Sequence, residues 1–389
     1  MVFMPDMFGC FHRGSPGVKL RLLILTWIDL PGRYCGMNAL NERIARIEQA
    51  LSSVLPDSVD SSWLTRVAGG DCRGASPEWA DAFLEPGREL LRRGGKRWRP
   101  LVTVLTCEAL GGGRAADILA ALTEIPHNGT LIVDDIEDAS LTRRGGPAIH
   151  TVFGEDLAIN MGNLMYFLPT IILERTTFDA ATLAAITSDW LAVMRRLHLG
   201  QGYDILWHRE AALFPDEESY LRMCRFKTGS LASLAAVLGA RAAASCRPEI
   251  DEALIHTLGG AWENLGTGFQ ILDDVQNLSS GIPGKDRGDD IVEGKKSLPV
   301  ILHAAANPGD IDRLTRLFAV AAEKTPGGDW SAVEEAIALL EGSGALAEAR
   351  EKGRELLGSG RAAIEGLLPE SEGRELMLDM VDGFARKMV

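Results

Sequence analysis

Leu131-Ile132-Val133-Asp134-Asp135-Ile136-Glu137-Asp138 is an apolar run that closes on three aspartates at i, i+1 and i+4. The spacing suits a helix. Asp134 and Asp138 then stand one above the other on one face, with Asp135 rotated beside them. Carboxylates packed this closely repel one another, so the run is either a solvated acidic helix end or a cation site. Mg²⁺ fits the second reading: it takes oxygen ligands, keeps several waters, and is usually held by one or two carboxylates plus substrate phosphates. A second cluster, Phe269-Gln270-Ile271-Leu272-Asp273-Asp274-Val275-Gln276-Asn277, closes another apolar run on paired aspartates and favours the cation.

Outward from these clusters the chain reads helix after helix. Leu40, Ile44, Ile47, Leu51 and Val54 form one apolar stripe, which Pro56 ends. Residues 69–77 read as a loop from their Gly, Asp and Pro content, and residues 78–93 as a helix broken by Gly94-Gly95. Further helical stretches are predicted at 101–110, 115–138, 156–175, 180–206, 217–245, 250–278, 290–306, 309–323, 331–341, 343–357 and 373–388. No alternating strand run of useful length occurs, and no Gly-x-Gly-x-x-Gly follows a strand, which argues against a dinucleotide-binding sheet. The fold class is therefore all-α. Length alone, 389 residues, allows two or three domains. The lack of a composition break predicts a single all-α domain over residues 37–389. Residues 1–36 are expected to be a poorly ordered extension or a start-site artefact, with Met37 as the true start; Asp29 interrupts their apolar run, unlike a secretory signal.

A hydrophobic content of 46% predicts a packed globular protein, and a net charge of −14 argues against a general nucleic-acid binder. The six cysteines are scattered, with no CxxC pair, so neither a zinc site nor a disulfide framework is predicted. No apolar stretch is read as long enough to span a bilayer, and a cytoplasmic location is expected.

Against this acidic background the cations gather beside the carboxylates. Gly94-Gly95-Lys96-Arg97-Trp98-Arg99-Pro100 puts three at a loop–helix junction, where backbone N–H groups already favour an anion. Arginine's fork suits phosphate oxygens, and lysine adds a point charge. Arg143-Arg144, Lys227, Lys285 and Lys295-Lys296 read the same way, the alternative being ordinary exposed basic loops. His127 lies two helical turns before Asp134, on roughly its face. Gln270 precedes Asp273 by three residues, and Gln201 and Asp204 share a helix face. Pro126 removes a backbone donor from the first motif's helix and is expected to kink it. Together these suggest a metal–phosphate site, with a second anion pocket at Gly94–Arg99.

The chain resembles the trans-isoprenyl diphosphate synthases, or polyprenyl synthetases. The resemblance rests on GGKRWRP (94–100), DDIED (134–138), RRGGPAIH (143–150), GQGYD (200–204), KTG (227–229), FQILDDVQN (269–277) and GKDRGDDIVEGKKSLP (284–299), in the family's order and covering nearly the whole chain after about residue 40. Within the family the motifs are closest to geranylgeranyl diphosphate synthases of the eukaryotic kind. The resemblance implies a helical bundle around a deep cavity, usually dimeric. It implies that Asp134, Asp135 and Asp138 bind two Mg²⁺, and Asp273 with Asp274 a third. Arg143, Lys227 with its neighbour Thr228, Gln270 and Lys285 would hold the allylic diphosphate. Lys96, Arg99, His127 and Arg144 would hold isopentenyl diphosphate. The implied reaction is ionisation, condensation and proton loss.

Asn277 replaces the family's third aspartate in the second motif, and an amide is a weaker ligand for a hard cation. Gly129, five before Asp134, places no bulk where an aromatic would stop a growing chain. Tyr166, Phe167 and His198 match the positions that resemble the cavity floor of eukaryotic-type synthases, which points to a C20 product; ordinary core packing is the alternative reading of all three. Two other functions are weighed. A non-catalytic partner subunit would be expected to lose metal or diphosphate residues, and nearly all are kept. A terpene cyclase would not need GGKRWRP.

Overall fold

The computed structural model describes residues 34–281, 287–323 and 330–387. Lys285, expected in the site, lies outside them, as do residues 1–33 of the expected extension. The predicted boundary at Met37 falls inside a helix: α1 runs Tyr34–Val54. After it come α2 (Ser61–Ala68), α3 (Pro77–Arg92), α4 (Trp98–Ala109) and α5 (Ala121–Glu137). A two-stranded hairpin follows, β1 (Thr142–Arg143) with β2 (Gly146–Pro147). Strands of two residues are too short to show alternation, so a sequence reading finds only a loop there. Next are α6 (Ile149–Phe153), α7 (Glu155–Phe167), α8 (Ala180–Arg209), α9 (Glu217–Cys224), α10 (Ser230–Ala244) and α11 (Glu252–Ser279). The chain ends in α12 (Asp289–Val292), α13 (Leu298–Ala306), α14 (Ile311–Ala322), α15 (Ser331–Gly342), α16 (Ala345–Leu367) and α17 (Glu372–Lys387). The stretch expected as one helix at 290–306 is two, split by a turn that carries Lys295 and Lys296.

Helix starts follow side-chain chemistry. Asp60, Asp179, Asp216 and Asp251 each accept a hydrogen bond from the backbone N–H three residues on, at 2.7–2.8 Å. Such caps satisfy donors that a helix N-terminus leaves without partners. The main core packs α1, α4, α5, α7, α8, α10, α11 and α17 around Trp262, Leu122, Ile125 and Met165. A second cluster joins α9, the end of α11 and α12–α16 around Ile271, Val275, Leu298 and Val333. Helix α11 contributes to both, through Leu265 and Leu272 on one side and Ile271 and Val275 on the other.

Helix α5 runs as one α-helix through Pro126. The carbonyl that loses its helical donor there, Leu122, accepts instead from Trp190 Nε1 on α8 at 3.2 Å. The polar group is satisfied from a neighbouring helix, which removes one reason for the expected kink.

One expectation is corrected. The stretch Glu155–Arg175, α7 and the 3₁₀ turn after it, is long and apolar enough to cross a membrane by length and composition. The sequence reading missed it because polar residues punctuate the run. Met161, Met165 and Ile172 bury one side in the core, while Leu157, Ile159 and Phe167 leave another exposed.

Candidate active site

The first acidic cluster closes α5, at the negative end of the helix dipole, where carboxylates are disfavoured unless a cation offsets them. Asp134 and Asp138 are half-buried. Burial pushes the Asp134 carboxyl up to about 7; Asp138 and Glu137 push the same way, and Lys227 and Arg143 oppose them. Asp135 does not share this face. It is fully buried, and its Oδ1 accepts from Arg143 Nε at 2.8 Å and also from Nη2. So Asp135 binds the hairpin through Oδ1, with Oδ2 buried and without a partner, while Asp134 and Asp138 are the more open carboxylates of the cluster.

The second cluster is similarly divided. Asp273 is half-buried. Asp274 is buried with both oxygens engaged: Oδ2 accepts from Tyr220 Oη at 2.6 Å, and Oδ1 from Gln270 Nε2 at 2.8 Å. Burial, then the nearby Asp290, pushes its carboxyl up to about 7. Gln270 Oε1 in turn accepts from Thr228 Oγ1 at 2.9 Å. Asn277 is a structural clamp. Its Oδ1 accepts from Asp290 N at 3.2 Å, and its backbone carbonyl from Gly288 N at 3.0 Å.

Lys227 and Thr228 sit on a π-helical turn, Arg225–Gly229, between α9 and α10. Turns of this kind recur at functional sites because the extra residue re-aims side chains. Here Lys227 points to α8 and Thr228 to α11. The absent side chain of Gly200 admits the turn: a Cβ there would meet Lys227 N at 2.5 Å. Lys227 Nζ donates to Asp204 Oδ2 at 2.5 Å, and His208 Nε2 lies 2.7 Å from Asp204 Oδ1. Burial would raise the Asp204 carboxyl, but Lys227 and His208 outweigh it and hold it well below the carboxylate range. Lys295 Nζ lies 2.6 Å from Glu293 and 3.3 Å from Asp290. Asp204, Lys227, Gln270, Asp274, Lys295 and Ser297 line one small cavity of about 40 Å³, which joins the second cluster to the lysines. Lys227 also feels Asp134, and Lys295 feels Asp138, so these lysines stand between the two acidic helix ends.

A different electrostatic setting surrounds the Gly94–Pro100 loop. Of its three cations, Arg97 is only 2% exposed and structural, correcting the reading of the loop as a triple basic site. Its guanidinium donates to Glu48 Oε1 at 2.8 Å, Glu124 Oε1 at 2.7 Å and Leu91 O at 3.0 Å. Arg99 stacks on Trp98, 4.4 Å from the ring centroid, and its buried Nε has no hydrogen-bond partner. Burial pushes Arg99 down to about 10. Arg144 falls to about 10 by burial, with Arg97, Arg143 and Arg99 pushing the same way. It donates to Leu90 O at 3.2 Å and to Asn128 Oδ1 at 2.8 Å. His127 is held well below the histidine range by burial, then by Arg99 and Arg144. Lys96 Nζ lies 5.4 Å from the Phe269 ring centroid. Among the described residues neither Arg99 nor Arg144 is in an ion pair. Burial disfavours the charged form of both, Glu124 opposes this in both, and at Arg144 crowded positive charge adds to the cost, which an anion would relieve. Of the predicted set, Arg99, His127 and Arg144 are brought together, each within electrostatic reach of the others, while Lys96 lies over Phe269.

Of the three predicted floor residues, two meet. Tyr166 is buried with its ring edge-on to His198, centroids 4.8 Å apart. Phe167 is 63% exposed, one position round the helix, and takes no part in that contact. Gly129 is not open space. A Cβ there would meet Gly162 O at 2.8 Å and Met165 Cβ at 2.9 Å, so α7 fills the room that the missing side chain leaves.

The residues fit a hard divalent cation. Among the described residues no group of three or more His, Cys, Asp or Glu is placed to hold a metal by itself. Mg²⁺ does not need one, since it completes its shell with water and phosphate oxygens. Asp134, Asp138 and Asp273 would supply the protein oxygens. Sequence reasoning missed Tyr220, Asn128 and Asp290 because their partners Asp274, Arg144 and Asn277 lie on other elements. His208 and Glu293 pair locally, with Asp204 four residues before and Lys295 two residues after, so helical spacing and adjacency were the signals that could have found them.

Comparison with known proteins agrees with this geometry. Residues 80–336 match the model of the family described as polyprenyl synthetase. The chain is 35% identical over 272 residues, 69% of its length and 75% of the relative's, to geranylgeranyl pyrophosphate synthase ltmG of Epichloe festucae. Its fold is similar to that of geranylgeranyl pyrophosphate synthetase from Pyrococcus horikoshii, with a TM-score of 0.75, 27% identity and coverage of 88% of this chain and 96% of that one. It is also similar in fold to a geranylgeranyl pyrophosphate synthase from Corynebacterium glutamicum, complexed with isoprenyl diphosphate and magnesium. There the TM-score is 0.73, with 24% identity over 89% of this chain and 99% of that one.

Proposed function

This chain belongs to the polyprenyl synthetase family, and from that premise we propose that it condenses isopentenyl diphosphate with an allylic diphosphate to give geranylgeranyl diphosphate, the C20 all-trans product. The observation that carries this reading is the sorting of cations into two classes. Arg143, Lys227 and Lys295 lie against carboxylates at the acidic helix ends. Arg99, His127 and Arg144 form a separate pocket in which the positive groups crowd one another. Two such environments suit two diphosphates, one bound with metal and one bound directly. The names of the similar synthases support C20.

Asp134, Asp138 and Asp273 would hold Mg²⁺, three ions in all. Bound there, it supplies Lewis-acid stabilisation of the departing diphosphate's charge. Arg143, Lys227 and Lys295 add fixed positive charge where that negative charge develops. The allylic C–O bond breaks with its electron pair going to the diphosphate. The Arg99–His127–Arg144 pocket holds isopentenyl diphosphate with its double bond toward the resulting allylic cation. A carbon–carbon bond forms from the alkene electrons, and a proton leaves to the departed diphosphate. His127, kept neutral, donates a hydrogen bond in its pocket without adding charge.

The purified protein, given Mg²⁺, isopentenyl diphosphate and separately C5, C10 and C15 allylic diphosphates, should release one C20 diphosphate by mass spectrometry. Release of a hydrocarbon without isopentenyl diphosphate would instead indicate a cyclase. No product from folded protein would indicate a non-catalytic partner subunit; the nearly complete set of acids and cations does not favour either.

The assembly we propose is a cytoplasmic homodimer. Val152, Leu157, Ile159, Phe167, Leu191 and Leu199 are exposed on α6–α8, and covering them with a second copy would remove that apolar surface from water. Sedimentation of the purified protein at twice the chain mass supports this; a monomer at micromolar concentration rejects it.

A further inference from the structure

The hairpin between α5 and α6 carries two arginines that serve different places. Arg143 turns to Asp135 beside the acidic helix end, and Arg144 turns to Asn128 in the anion pocket. Between them the chain makes a two-residue turn, Arg144-Gly145, with φ of +52° and +72°. Such turns need positive φ at both central residues, which an arginine adopts only under strain. The strands either side are two residues long, too short to be stable by themselves. Something outside the hairpin must hold it.

Arg93 does so. It ends α3, one residue before Gly94, and belongs to none of the motifs that define the site. Its Nη1 donates to Arg143 O at 3.1 Å and to Pro147 O at 2.6 Å, one carbonyl on each strand. Its guanidinium lies against Gly146, where a Cβ would come within 3.0 Å of Cζ. Its Nε donates to Glu89 Oε1 at 3.0 Å, one turn back on α3, which fixes the guanidinium plane. The residue spans the loop that carries Lys96 and the hairpin that carries Arg143 and Arg144.

We infer that Arg93 is a positioning residue for both diphosphate sites, holding the strained hairpin so that Arg143 and Arg144 face their separate ligands. The inference rests on the proposed function for the identity of those ligands. A residue that touched one ligand would affect one substrate. A residue that sets the hairpin affects both.

The test is Arg93→Met, which keeps length and loses every donor, alongside Glu89→Gln, which keeps Arg93 and weakens its anchor. Steady-state kinetics of both variants would be measured with each substrate varied in turn. Calorimetric titration with inorganic diphosphate, with and without Mg²⁺, gives a second readout independent of turnover. Arg93→Met should raise KM for isopentenyl diphosphate and for the allylic diphosphate together, about tenfold each, and weaken inorganic diphosphate binding in both conditions. Glu89→Gln should shift the same constants in the same direction by less. KM values and diphosphate affinity unchanged from wild type, with or without a lowered Tm, would overturn the inference and leave Arg93 a purely structural residue. A rise confined to one substrate would also overturn it. If Arg93→Met does not fold, Glu89→Gln decides by the same criteria. An inactive wild type would instead fail the proposed function, and the calorimetry would still judge Arg93.

Discussion

Trp190 Nε1 donates to the carbonyl of Leu122 at 3.2 Å, the group that Pro126 leaves without its helical donor. The pair ties α8 to the helix that ends in the first acidic cluster. Trp190→Phe keeps most of the ring and removes the donor. It should cost about 1–3 kcal/mol, the scale of a buried carbonyl left without a partner. Urea unfolding measures this. In a Pro126→Ala background, where the helix supplies its own donor, the same substitution should cost measurably less. Equal costs in the two backgrounds would mean that the indole hydrogen bond contributes nothing there.

The first-motif aspartates should separate by role. Asp134→Asn removes an oxygen from the metal face and should lower turnover about 10²–10³-fold, while raising the Mg²⁺ concentration needed for half-activity. Asp135→Asn acts through Arg143, because Asp135 is the buried partner of that guanidinium. Asp135→Asn and Arg143→Gln should therefore be strongly non-additive, with a coupling of about 0.5–3 kcal/mol in a double-mutant cycle of kcat/KM. Additive effects, or an Mg²⁺ shift in Asp135→Asn as large as in Asp134→Asn, would return Asp135 to the metal.

Stability should depend on pH in a direction set by Asp134 and Asp274, both pushed up to about 7. Between the usual aspartate value near 4 and about 7, the unfolded chain has released these protons and the folded one retains them. The folded state thus binds more protons, and stability falls as pH rises through that window. His127, held low in the fold, acts in the opposite sense below about 6.5. The informative quantity is therefore the difference between wild type and Asp134→Asn. In metal-free buffer the wild-type Tm should fall relative to the variant from pH 5 to pH 7, by thermal melting. Mg²⁺ with inorganic diphosphate should reduce that slope. Parallel pH profiles for the two proteins would show that Asp134 titrates normally.

Product length should depend on Tyr166 and not on Phe167. Tyr166→Ala removes a buried ring that packs against His198 and should allow products beyond C20. Phe167→Ala, at an exposed position, should keep the C20 product. Mass spectrometry of the diphosphates separates the two outcomes. A lengthened product from Phe167→Ala alone would move the floor to the other helix face.

Much of the site is legible in residue order alone. Two acidic clusters, each closing an apolar helical run, are local patterns, and so is the loop–helix junction at Gly94–Pro100. Helical period places Asp138 beside Asp134 and His127 two turns away, whatever the tertiary fold does. That is why the all-α class, the paired carboxylate face and the gathering of cations beside it can be read from the chain. Where the reading goes astray, a partner lies elsewhere in the sequence. Arg97 looks like a third cation of the basic loop, but Glu48 and Glu124 draw it into the core. Asn277 looks like a weakened metal ligand, yet it holds the turn before α12. Gly129 looks like open space, and α7 occupies it.

Which residue types stand where is a matter of residue order: carboxylates at helix ends, cations in the loops, and apolar stripes with a helical period. Which charge meets which depends on how the helices pack. Asp135 goes to Arg143, Lys227 to Asp204, and Arg144 to Asn128, while Arg93 holds the hairpin between them. The physical reason is that hydrophobic periodicity is a short-range property, fixed by the geometry of one helix. A buried charge takes its state from whatever other helices bring within a few ångströms, and residues distant in sequence carry no local sign of that meeting.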